Sequence, residues 1–415
     1  MIKRLCVISF HTCPLSDEKN TETGGMNTYV LELSKALCQK GLNIDIYTRC
    51  VDKDNCNIVQ VLPNLRVIHL QAGKPTLVPI SKLLELVPEF TSKLLAFIKK
   101  ESLSYDLIGS HYWLSGLVGL EIKKKFKIPL YLTFHTLALM KNLVARSEME
   151  KEDLERVKSE LKLVKEADKI IATSKSDLEY IHTLYNCPLG KITLLSPGVN
   201  LNLFKPIDKF KAKQFIKANQ KHKIILFVGR ITPLKGLDLL LYAIKILVQR
   251  NPKLTFCLWI VGGLNTGNKN KWSEELIRLN ELKMLLGIHA YVRFVGRKNR
   301  EELPYYYNAA EAVVMPSLYE SFGQVSLEAM ACGVPVIITD VAGISNLLGK
   351  KHSPLLTSAS NPILLASKIK NLLTNRAEHQ QMSREVFNKV QNLSWQNTAE
   401  DFIKTLGVNT FLPPR

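Results

Sequence analysis

The chain has 415 residues, of which 46% are hydrophobic and 22% charged, and its formal net charge is +19. This is the composition of a globular protein of two or three domains, which excludes a disordered chain, a collagen and a small disulfide scaffold. No apolar run reaches the roughly 18 residues of a membrane-spanning helix, and the first apolar stretch predicts a strand and not a signal peptide, so we expect a cytoplasmic protein.

Short apolar runs rich in β-branched residues alternate along the chain with longer amphipathic segments such as 234–249. Continuous apolar runs are typical of parallel strands that are buried on both faces. The pattern predicts an α/β fold with two doubly wound, Rossmann-like parallel-sheet domains that face each other across a cleft. In chain order the predicted strands are 4–9, 43–48, 65–70, 105–110, 129–134, 168–173 and 192–196 in the first series, then 223–228, 254–261, 291–295, 311–315 and 335–339 in the second.

The first candidate site is the pair Gly24-Gly25, which follows the loop after the first strand and precedes a predicted helix. Paired glycines let backbone N–H groups approach a ligand closely, and a helix N-terminus favours an anion. An ordinary strand-to-helix turn is the alternative interpretation.

The segment 82–100 is apolar and has lysines at both ends. Such a segment suits an anionic membrane surface. The alternative is a helix packed on the first domain, because Pro88 interrupts a clean amphipathic face.

Histidines stand at the ends of three predicted strands, at His11, His111 and His135. Because the carboxyl ends of parallel strands meet at one edge of a sheet, a ligand-facing role is favoured for His135 in particular. A purely structural role is the alternative for each of them.

The Lys-rich stretch after Pro197-Gly198 marks the boundary between the two domains, and it opens the most basic part of the chain. Residues 201–300 hold 20 Lys and Arg against 5 Asp and Glu, a balance of +15. A solvated Lys-rich surface, an anionic membrane, an anionic substrate and nucleic acid are all possible interpretations. No nucleic-acid-binding module is recognisable there, so a non-enzymatic nucleic-acid-binding protein is a distant alternative.

The second candidate site is Gly229-Arg230 at the end of strand 223–228, with Lys235 five residues further on. Two cations beside the carboxyl end of a strand suit a pyrophosphate. The alternative is a surface charge pair at the start of a helix.

The third candidate site runs from Glu320 to Glu328, between strand 311–315 and a helix predicted at 324–332. A carboxylate accepts two hydrogen bonds from a vicinal diol, so one glutamate can hold a ribose and the other a sugar. The helix N-terminus after Gly323 would then face a phosphate. An acid that merely complements the helix dipole is the alternative.

The eight cysteines are scattered, without a Cys-x-x-Cys pair or a zinc-like spacing. We therefore expect free thiols that behave as small hydrophobes in a reducing cytosol, and no metal site.

Taken together, these motifs resemble the retaining glycosyltransferases of family 4, which have the two-domain GT-B architecture. Within that family the chain is similar to the D-inositol-3-phosphate glycosyltransferases and the sucrose-phosphate synthases. The resemblance covers nearly the whole chain and rests on SFHTCPL, TGGMNTYVLELSKAL, SHYWLSG, TFHTLALMKN, LLSPGVNLNLF, FVGRITPLKG and PSLYESFGQVSLEAMACGVPV.

The resemblance implies an acceptor-side domain at 1–198, a donor-binding domain at 199–396 and a C-terminal helix at about 397–415 that crosses back onto the first domain. It implies that His135, Arg230, Lys235 and Glu320 serve catalysis. The implied donor-binding residues are Gly24, Gly25, Gly229, Arg230, Lys235, Glu320, Ser321, Phe322, Gly323 and Glu328.

On the acceptor side the resemblance implies a phosphorylated acceptor. The matching residues are Asn27, Lys82, Tyr112, Thr136 and Arg156. Arg156 lies on a helix predicted at 151–166, where a solvated face with Glu152, Glu155 and Glu160 is the alternative.

The activity that the resemblance implies is transfer of glucose or N-acetylglucosamine from a UDP-sugar to a hydroxyl acceptor with retention, without a cofactor or metal ion. The acceptor is a phosphorylated polyol or sugar. The alternative is a lipid-linked or lipopolysaccharide-type acceptor at the inner face of a membrane. The oligomeric state is not predicted.

Overall fold

The computed structural model describes residues 2–15, 24–263, 272–340, 343, 345–348, 355–358 and 360–406. Two compact units divide the chain, the first made of residues 1–198 and 395–415 and the second of residues 199–394. Each unit is a largely parallel sheet with helices, which confirms the predicted α/β fold with two parallel-sheet domains.

Unit 1 contains a sheet with the strand order β3-β4-β2-β1-β5-β6-β7-β8. The central strands are buried almost continuously, as their apolar runs predict. The strands are β1 Arg4–Ile8, β2 Asn43–Arg49, β3 Ile58–Leu62, β4 Leu65–Leu70, β5 Leu107–His111, β6 Leu130–Thr133, β7 Lys169–Ala172 and β8 Ile192–Leu194.

The sequence analysis missed strand β3, which pairs antiparallel with β4 at the edge of the sheet. Its residues are exposed or half-buried. An edge strand of this kind lacks the continuous apolar run that identifies the buried strands.

Six α-helices lie between Gly25 and Leu184 in the part of the chain that the structure describes. They are α1 Gly25–Gln39, α2 Val87–Lys100, α3 Trp113–Phe126, α4 Ala138–Val144, α5 Leu154–Glu166 and α6 Lys175–Leu184. Pro88 lies in the first turn of α2, where no backbone donor is needed, and a 3-10 helix at Ile80–Leu86 precedes it. Val87, Phe90 and Leu94 of α2 are buried, so the helix packs its apolar face within unit 1.

Unit 2 contains a six-stranded sheet with the order β11-β10-β9-β12-β13-β14. The strands are β9 Lys223–Val228, β10 Phe256–Val261, β11 Val292–Gly296, β12 Ala310–Met315, β13 Val336–Thr339 and β14 Leu356–Thr357. The helices are α7 Lys209–Phe215, α8 Leu237–Arg250, α9 Glu274–Leu285, α10 Leu303–Ala309, α11 Gln324–Ala331, α12 Ser345–Leu348, α13 Pro362–Thr374 and α14 Arg376–Val390. The two-residue strand β14 is too short to be predicted from an apolar run.

The last helix, α15 Trp395–Thr405, belongs to unit 1. Trp395 packs edge-on against Tyr29, with ring centroids 5.6 Å apart, and Thr398 donates a hydrogen bond to the carbonyl of Ser196. The helix begins two residues before the predicted position, and the predicted part at 407–415 lies outside the described residues.

Cys50 and Cys56 are joined by a disulfide, with Cα atoms 5.2 Å apart. The expectation of free thiols was therefore wrong for these two, because a 3-10 turn at Lys53–Asn55 brings them together. The other six cysteines are not part of a disulfide. Across the described ranges, no helix is long and apolar enough to cross a bilayer.

Candidate active site

Two predicted site histidines meet at the carboxyl edge of the first sheet. His111 ends β5 and His135 follows β6, the neighbouring strand, and His111 Nδ1 lies 2.9 Å from His135 Nε2. His11, after β1, packs its ring against Tyr112 in a tilted arrangement with centroids 4.4 Å apart. The adjacency of β1, β5 and β6 explains why the three histidines converge.

Both members of the histidine pair are held neutral. Burial lowers the pKa of His111 to about 3, and burial together with the charges of His111 and His11 holds the pKa of His135 well below its usual range. A neutral pair shares one N–H between the two ring nitrogens, so His135 retains hydrogen-bonding capacity on its other nitrogen.

The backbone is strained at this edge. His135 has a φ of +62° and Tyr112 a φ of +79°, and positive φ angles are uncommon for residues other than glycine. Such residues cost about 1–3 kcal/mol each and cluster at functional sites. The strain supports a ligand-facing role for this edge.

Tyr29 is a residue of this cluster that the sequence analysis missed. Its ring lies edge-on to His135 and His111, with centroids 5.1 and 5.7 Å away, and it is buried. It lies one turn into α1, and the sequence pattern there is that of an ordinary core residue of an amphipathic helix. The sequence gives no signal that it faces the histidines.

Three of the predicted acceptor residues are brought together by Arg156. Its guanidinium donates to Tyr112 Oη at 3.0 Å, and to the carbonyl and Oγ1 of Thr136 at 3.0 and 3.1 Å. The guanidinium also lies 4.9 Å from the centre of the Tyr112 ring. These contacts place one cation between the ends of β5 and β6.

Arg156 is only 3% exposed, so the alternative of a solvated helix face was wrong for this residue. Its Nε donates to Glu160 at 2.8 Å and its Nη1 is ion-paired with Glu152 at 2.9 Å. Glu152 in turn is ion-paired with Lys141. Glu152 precedes α5 and is half-buried, whereas Glu160 lies on α5 and is buried, and the i±4 spacing from Arg156 does not predict this burial.

Asn27 and Lys82, the other predicted acceptor residues, have no described contact with this cluster. The side-chain amide of Asn27 donates to Thr12 Oγ1 at 2.9 Å and to the carbonyl of Cys13 at 2.7 Å. Lys82 is exposed on the 3-10 helix before α2.

Gly24 and Gly25 begin α1, as the sequence predicts. Gly24 is the N-cap residue with extended backbone, no side chain caps the helix, and no acidic residue lies in its first turn. No acidic side chain therefore offsets the positive end of the helix dipole at the first N–H groups of α1, and this end favours an anion.

In unit 2, Gly229 and Arg230 follow β9 at the carboxyl edge of the second sheet. Gly229 has a φ of +156°, and a Cβ on its neighbour Gly262 would lie 1.8 Å from the Gly229 carbonyl oxygen. The two glycines therefore let the loops after β9 and β10 approach closely. Arg230 is exposed.

Lys235 and Glu320 form an ion pair in which the lysine donates to Oε2 of the glutamate. Backbone contacts bring the two residues together. Gly236 has a φ of +61°, and a Cβ there would lie 2.1 Å from the carbonyl oxygen of Pro316, while Leu318 N–H donates to the carbonyl of Leu234 at 2.8 Å. Only a glycine allows the turn that carries Lys235 to pack on the loop before Glu320.

The loop between Glu320 and α11 contains the other predicted sugar-binding residues. Gly323 caps α11 with a φ of +95°, and no acidic side chain lies in the first turn of the helix. Ser321 Oγ lies 3.2 Å from Tyr319 Oη, and Phe322 is buried. The N-terminal amides of α11 are thus placed at the same strand edge as Lys235.

Glu328 lies in the second turn of α11 and is 4% exposed, so it is not a first-turn acid facing solvent. It accepts a hydrogen bond from Tyr307 Oη at 2.9 Å, and Arg300 Nε lies 4.0 Å from its other carboxylate oxygen. Tyr307 and Arg300 were missed, because they come from α10 and the loop before it. Nothing in their spacing points to Glu328.

Among the residues with described positions, no group of three or more His, Cys, Asp or Glu is arranged to hold a metal ion. Arg230 and Lys235 are the cationic side chains of the candidate site in unit 2.

Comparison with known proteins links this arrangement to one family. A family model described as Glycosyltransferase Family 4 matches residues 23–203, and one described as Glycosyl transferases group 1 matches residues 208–389. The D-inositol 3-phosphate glycosyltransferase of Salinispora tropica is 32% identical over 419 residues, which cover 98% of this chain and 85% of the relative. The chain belongs to glycosyltransferase family 4.

Two further proteins support the assignment to this family. The D-inositol 3-phosphate glycosyltransferase of Corynebacterium efficiens is 33% identical over 95% of this chain and 93% of its own. The solved structure of sucrose-phosphate synthase from Thermosynechococcus elongatus superposes with a TM-score of 0.88 at 31% identity and covers 98% of each chain. The predicted family, its GT-B fold and the enzyme class of glycosyltransferase are confirmed.

Proposed function

We propose that this family 4 glycosyltransferase transfers a hexosyl unit, glucose or N-acetylglucosamine, from a UDP-sugar to a hydroxyl of a phosphorylated polyol or sugar, with retention at the anomeric carbon. The observation that carries the proposal is the Lys235–Glu320 pair beside Gly229-Arg230 and the start of α11. The relatives named as D-inositol 3-phosphate glycosyltransferases and sucrose-phosphate synthase support the phosphorylated acceptor.

In the donor site, Arg230 and Lys235 bind the diphosphate. The guanidinium supplies a fork of donors and the ammonium a compact charge, and the N–H groups of α11 add partial positive charge. Glu320 is held by Lys235 with its carboxylate available to sugar hydroxyls. Glu328 binds the ribose diol through its carboxylate, which Tyr307 orients by donating to one of its oxygens.

Retention follows from a same-face displacement in this proposal. The bond from the anomeric carbon to the diphosphate oxygen breaks, and the bond to the acceptor oxygen forms on the same face. The acceptor proton passes to the departing diphosphate oxygen. The cations Arg230 and Lys235 stabilise the charge that develops on that group, so the reaction requires no metal ion.

His135 serves the same step in this proposal. Because His135 is held neutral, it donates a hydrogen bond to a sugar hydroxyl without adding a charge beside the reacting carbon. The 2.9 Å contact with His111 fixes the orientation of its ring.

On the acceptor side, Arg156 with Tyr112 and Thr136 holds the phosphate. All of the guanidinium N–H groups already have partners, so a phosphate oxygen must replace Glu152 on Nη1. Lys141 can keep Glu152 neutralised when it moves aside. Lys82 supplies an additional charge in the proposal.

The direct test is a transfer assay with UDP-glucose and UDP-N-acetylglucosamine as donors, in the presence of EDTA. The acceptors are D-inositol 3-phosphate and, as the matched control, unphosphorylated inositol. We expect UDP release to depend on the phosphorylated acceptor, and NMR of the product to show the α-anomeric configuration of the donor. An inverted product would refute retention, and equal rates with both acceptors would refute the phosphate role of Arg156.

A second candidate, a lipid-linked acceptor at an anionic membrane surface, is favoured by one observation. Leu143, Met149 and Leu154 are 68%, 96% and 66% exposed on and between α4 and α5, the helix that carries Arg156. Exposed apolar side chains beside an acceptor site suit the surface of a bilayer. Flotation with vesicles containing anionic phospholipid tests this candidate, and a Leu143→Ser, Met149→Ser, Leu154→Ser variant should lose the binding.

A further inference from the structure

Cys13 and His69 form a thiol–imidazole pair in unit 1 that the proposed transfer does not use. Cys13 lies in the loop after β1 and His69 near the end of β4, and Cys13 Sγ is 3.1 Å from His69 Nε2. Strand β2 separates β1 from β4 in the sheet, so the contact joins two strands that are not neighbours.

The tautomer of His69 follows from its other nitrogen. His69 Nδ1 lies 2.8 Å from the carbonyl oxygen of Asn57, which only accepts, so Nδ1 carries a proton. Nε2 therefore meets the sulfur either as a lone pair that accepts the thiol proton or, after proton transfer, as a donor to the thiolate. The N–H of Leu15 also points at the sulfur, at 3.3 Å.

This arrangement has the parts of an activated nucleophile: a thiol, a base within hydrogen-bonding distance and a third group that orients the base. Burial lowers the pKa of His69, so the imidazole is neutral at physiological pH and its Nε2 faces the thiol as an acceptor. The Leu15 amide offers a hydrogen bond to the thiolate that forms.

We propose that Cys13 is a modification site, a thiol activated by His69 for reaction with small electrophiles, of which hydrogen peroxide is the biological one. The Cys13 sulfur attacks one peroxide oxygen, a sulfur–oxygen bond forms and the oxygen–oxygen bond breaks. The thiol proton passes through His69 Nε2 to the departing oxygen. The cysteine is oxidised to a sulfenic acid and the peroxide is reduced to water.

Cys13 is itself buried, with 8% of its surface exposed, and the other cysteines outside the disulfide have no thiol–imidazole contact in the described part of the chain. Burial raises the pKa of Cys38 to about 12, and burial likewise raises the pKa of Cys6, Cys187 and Cys332. Cys257 is half-buried and lies beside Trp259, and burial raises its pKa as well. They serve as internal controls for Cys13.

A consequence for catalysis rests on the proposed function. The Cys13 carbonyl accepts from Asn27 at 2.7 Å, and Thr12 shares a hydrogen bond with the same amide at 2.9 Å. Asn27 lies in the first turn of α1, two residues after Gly25. An oxygen atom added to the Cys13 sulfur displaces the loop that holds this turn, and we expect it to slow transfer.

The test is alkylation of the folded, full-length chain with iodoacetamide at pH 7, followed residue by residue with mass spectrometry. We expect Cys13 to react at least tenfold faster than Cys257, and His69→Gln to slow Cys13 at least tenfold while Cys257 keeps its rate. Peroxide followed by dimedone should label Cys13 first. An unchanged Cys13 rate in His69→Gln would overturn the activation.

If His69→Gln does not fold, labelling of the wild-type chain alone tests the activation of Cys13. Cys13 should react faster in the folded chain than after unfolding in guanidinium chloride, whereas a mere packing contact gives the opposite order. These labelling rates do not depend on enzymatic activity. Activated labelling without loss of transfer would therefore refute only the coupling to catalysis.

Discussion

Lys235 and Glu320 are 85 residues apart in the chain, yet the ammonium of one donates to the carboxylate of the other. The lysine belongs to the turn after β9 and the glutamate to the loop after β12, and these two strands are neighbours in the sheet of unit 2. A side chain proposed to bind the diphosphate and one proposed to bind the sugar thus hold each other in place before any donor arrives.

Although the two residues are paired, they are proposed to bind different groups of the donor, so their substitutions should affect different ligands. Removing a hydrogen bond to a charged group costs about 1.5–3 kcal/mol, so Lys235→Ala should weaken UDP binding about 10- to 100-fold. Glu320→Gln should leave UDP binding nearly unchanged and weaken the UDP-sugar. Calorimetric titration of both variants checks this, with Lys209→Ala as a control because it breaks the Lys209–Glu311 pair in the same unit. Equal losses for UDP and UDP-sugar in Glu320→Gln would contradict the sugar role.

The buried carboxylate of Glu328 gives a second prediction. Glu328→Gln keeps the shape of the side chain but replaces one acceptor oxygen with a donor, so one hydrogen bond from the ribose diol is lost. We expect UDP affinity to fall about 10-fold, in keeping with roughly 1.5 kcal/mol for such a bond. Tyr307→Phe removes the hydrogen bond from Tyr307 to Glu328 and should weaken UDP binding less. The two variants together distinguish direct contact of Glu328 with the ligand from orientation of its carboxylate by Tyr307. Wild-type affinity in Glu328→Gln would remove the ribose assignment.

The neutral histidine pair predicts a pH dependence of stability. The pKa of His111 is about 3 in the folded chain against an ordinary value of 6.5, so unfolding takes up a proton between these values. Stability should therefore fall as the pH falls below about 6.5, by about 2 kcal/mol for His111 between pH 7 and pH 5.

Urea denaturation of the wild type and His111→Gln at pH 7 and pH 5 measures this contribution. The variant should lose less stability on acidification than the wild type. His289→Gln, at an exposed imidazole, is the matched control and should behave like the wild type. An identical pH response in His111→Gln would show that His111 titrates normally in the folded chain.

The acceptor site predicts a gain of function. Because Glu152 occupies the Nη1 group of Arg156, Glu152→Gln removes the negative charge that a phosphate must displace. The KM for a phosphorylated acceptor should fall about 3- to 10-fold, since each 1.4 kcal/mol corresponds to a factor of ten, while kcat stays within about twofold. Glu155→Gln, an exposed neighbour on α5, should change neither constant. A raised KM in Glu152→Gln would mean that Glu152 supports Arg156 instead of competing with the phosphate.

The sheet framework could be predicted because strands buried on both faces leave continuous apolar runs, as in β1 and β9. The same reasoning placed His111, His135 and Arg230 at strand ends, where the structure has them. It failed for β3 and β14, because edge strands need no such run. It also failed for the Cys50–Cys56 pair, since a spacing of six residues is not diagnostic of a disulfide.

The burial of the site side chains and their contacts with residues distant in the chain could not be predicted from the sequence. Glu152 and Glu160 stand at i±4 from Arg156, a spacing that fits a solvated ladder as well as a buried ion pair. Only the packing of α5 within unit 1 decides between them. The contact of Tyr29 with His135 is equally hidden, because it depends on how α1 lies against the sheet.

The measurement that tests the central claim most directly is the thermal stability of the wild-type chain and of Arg230→Ala with UDP and with UMP. A ligand at 100 times its dissociation constant stabilises a protein by about 2.7 kcal/mol, which gives a clear rise in melting temperature. The account predicts that UDP stabilises the wild type more than UMP does, and that Arg230→Ala removes most of the difference. Equal shifts with UDP and UMP in the wild type would contradict a diphosphate site at Arg230 and Lys235.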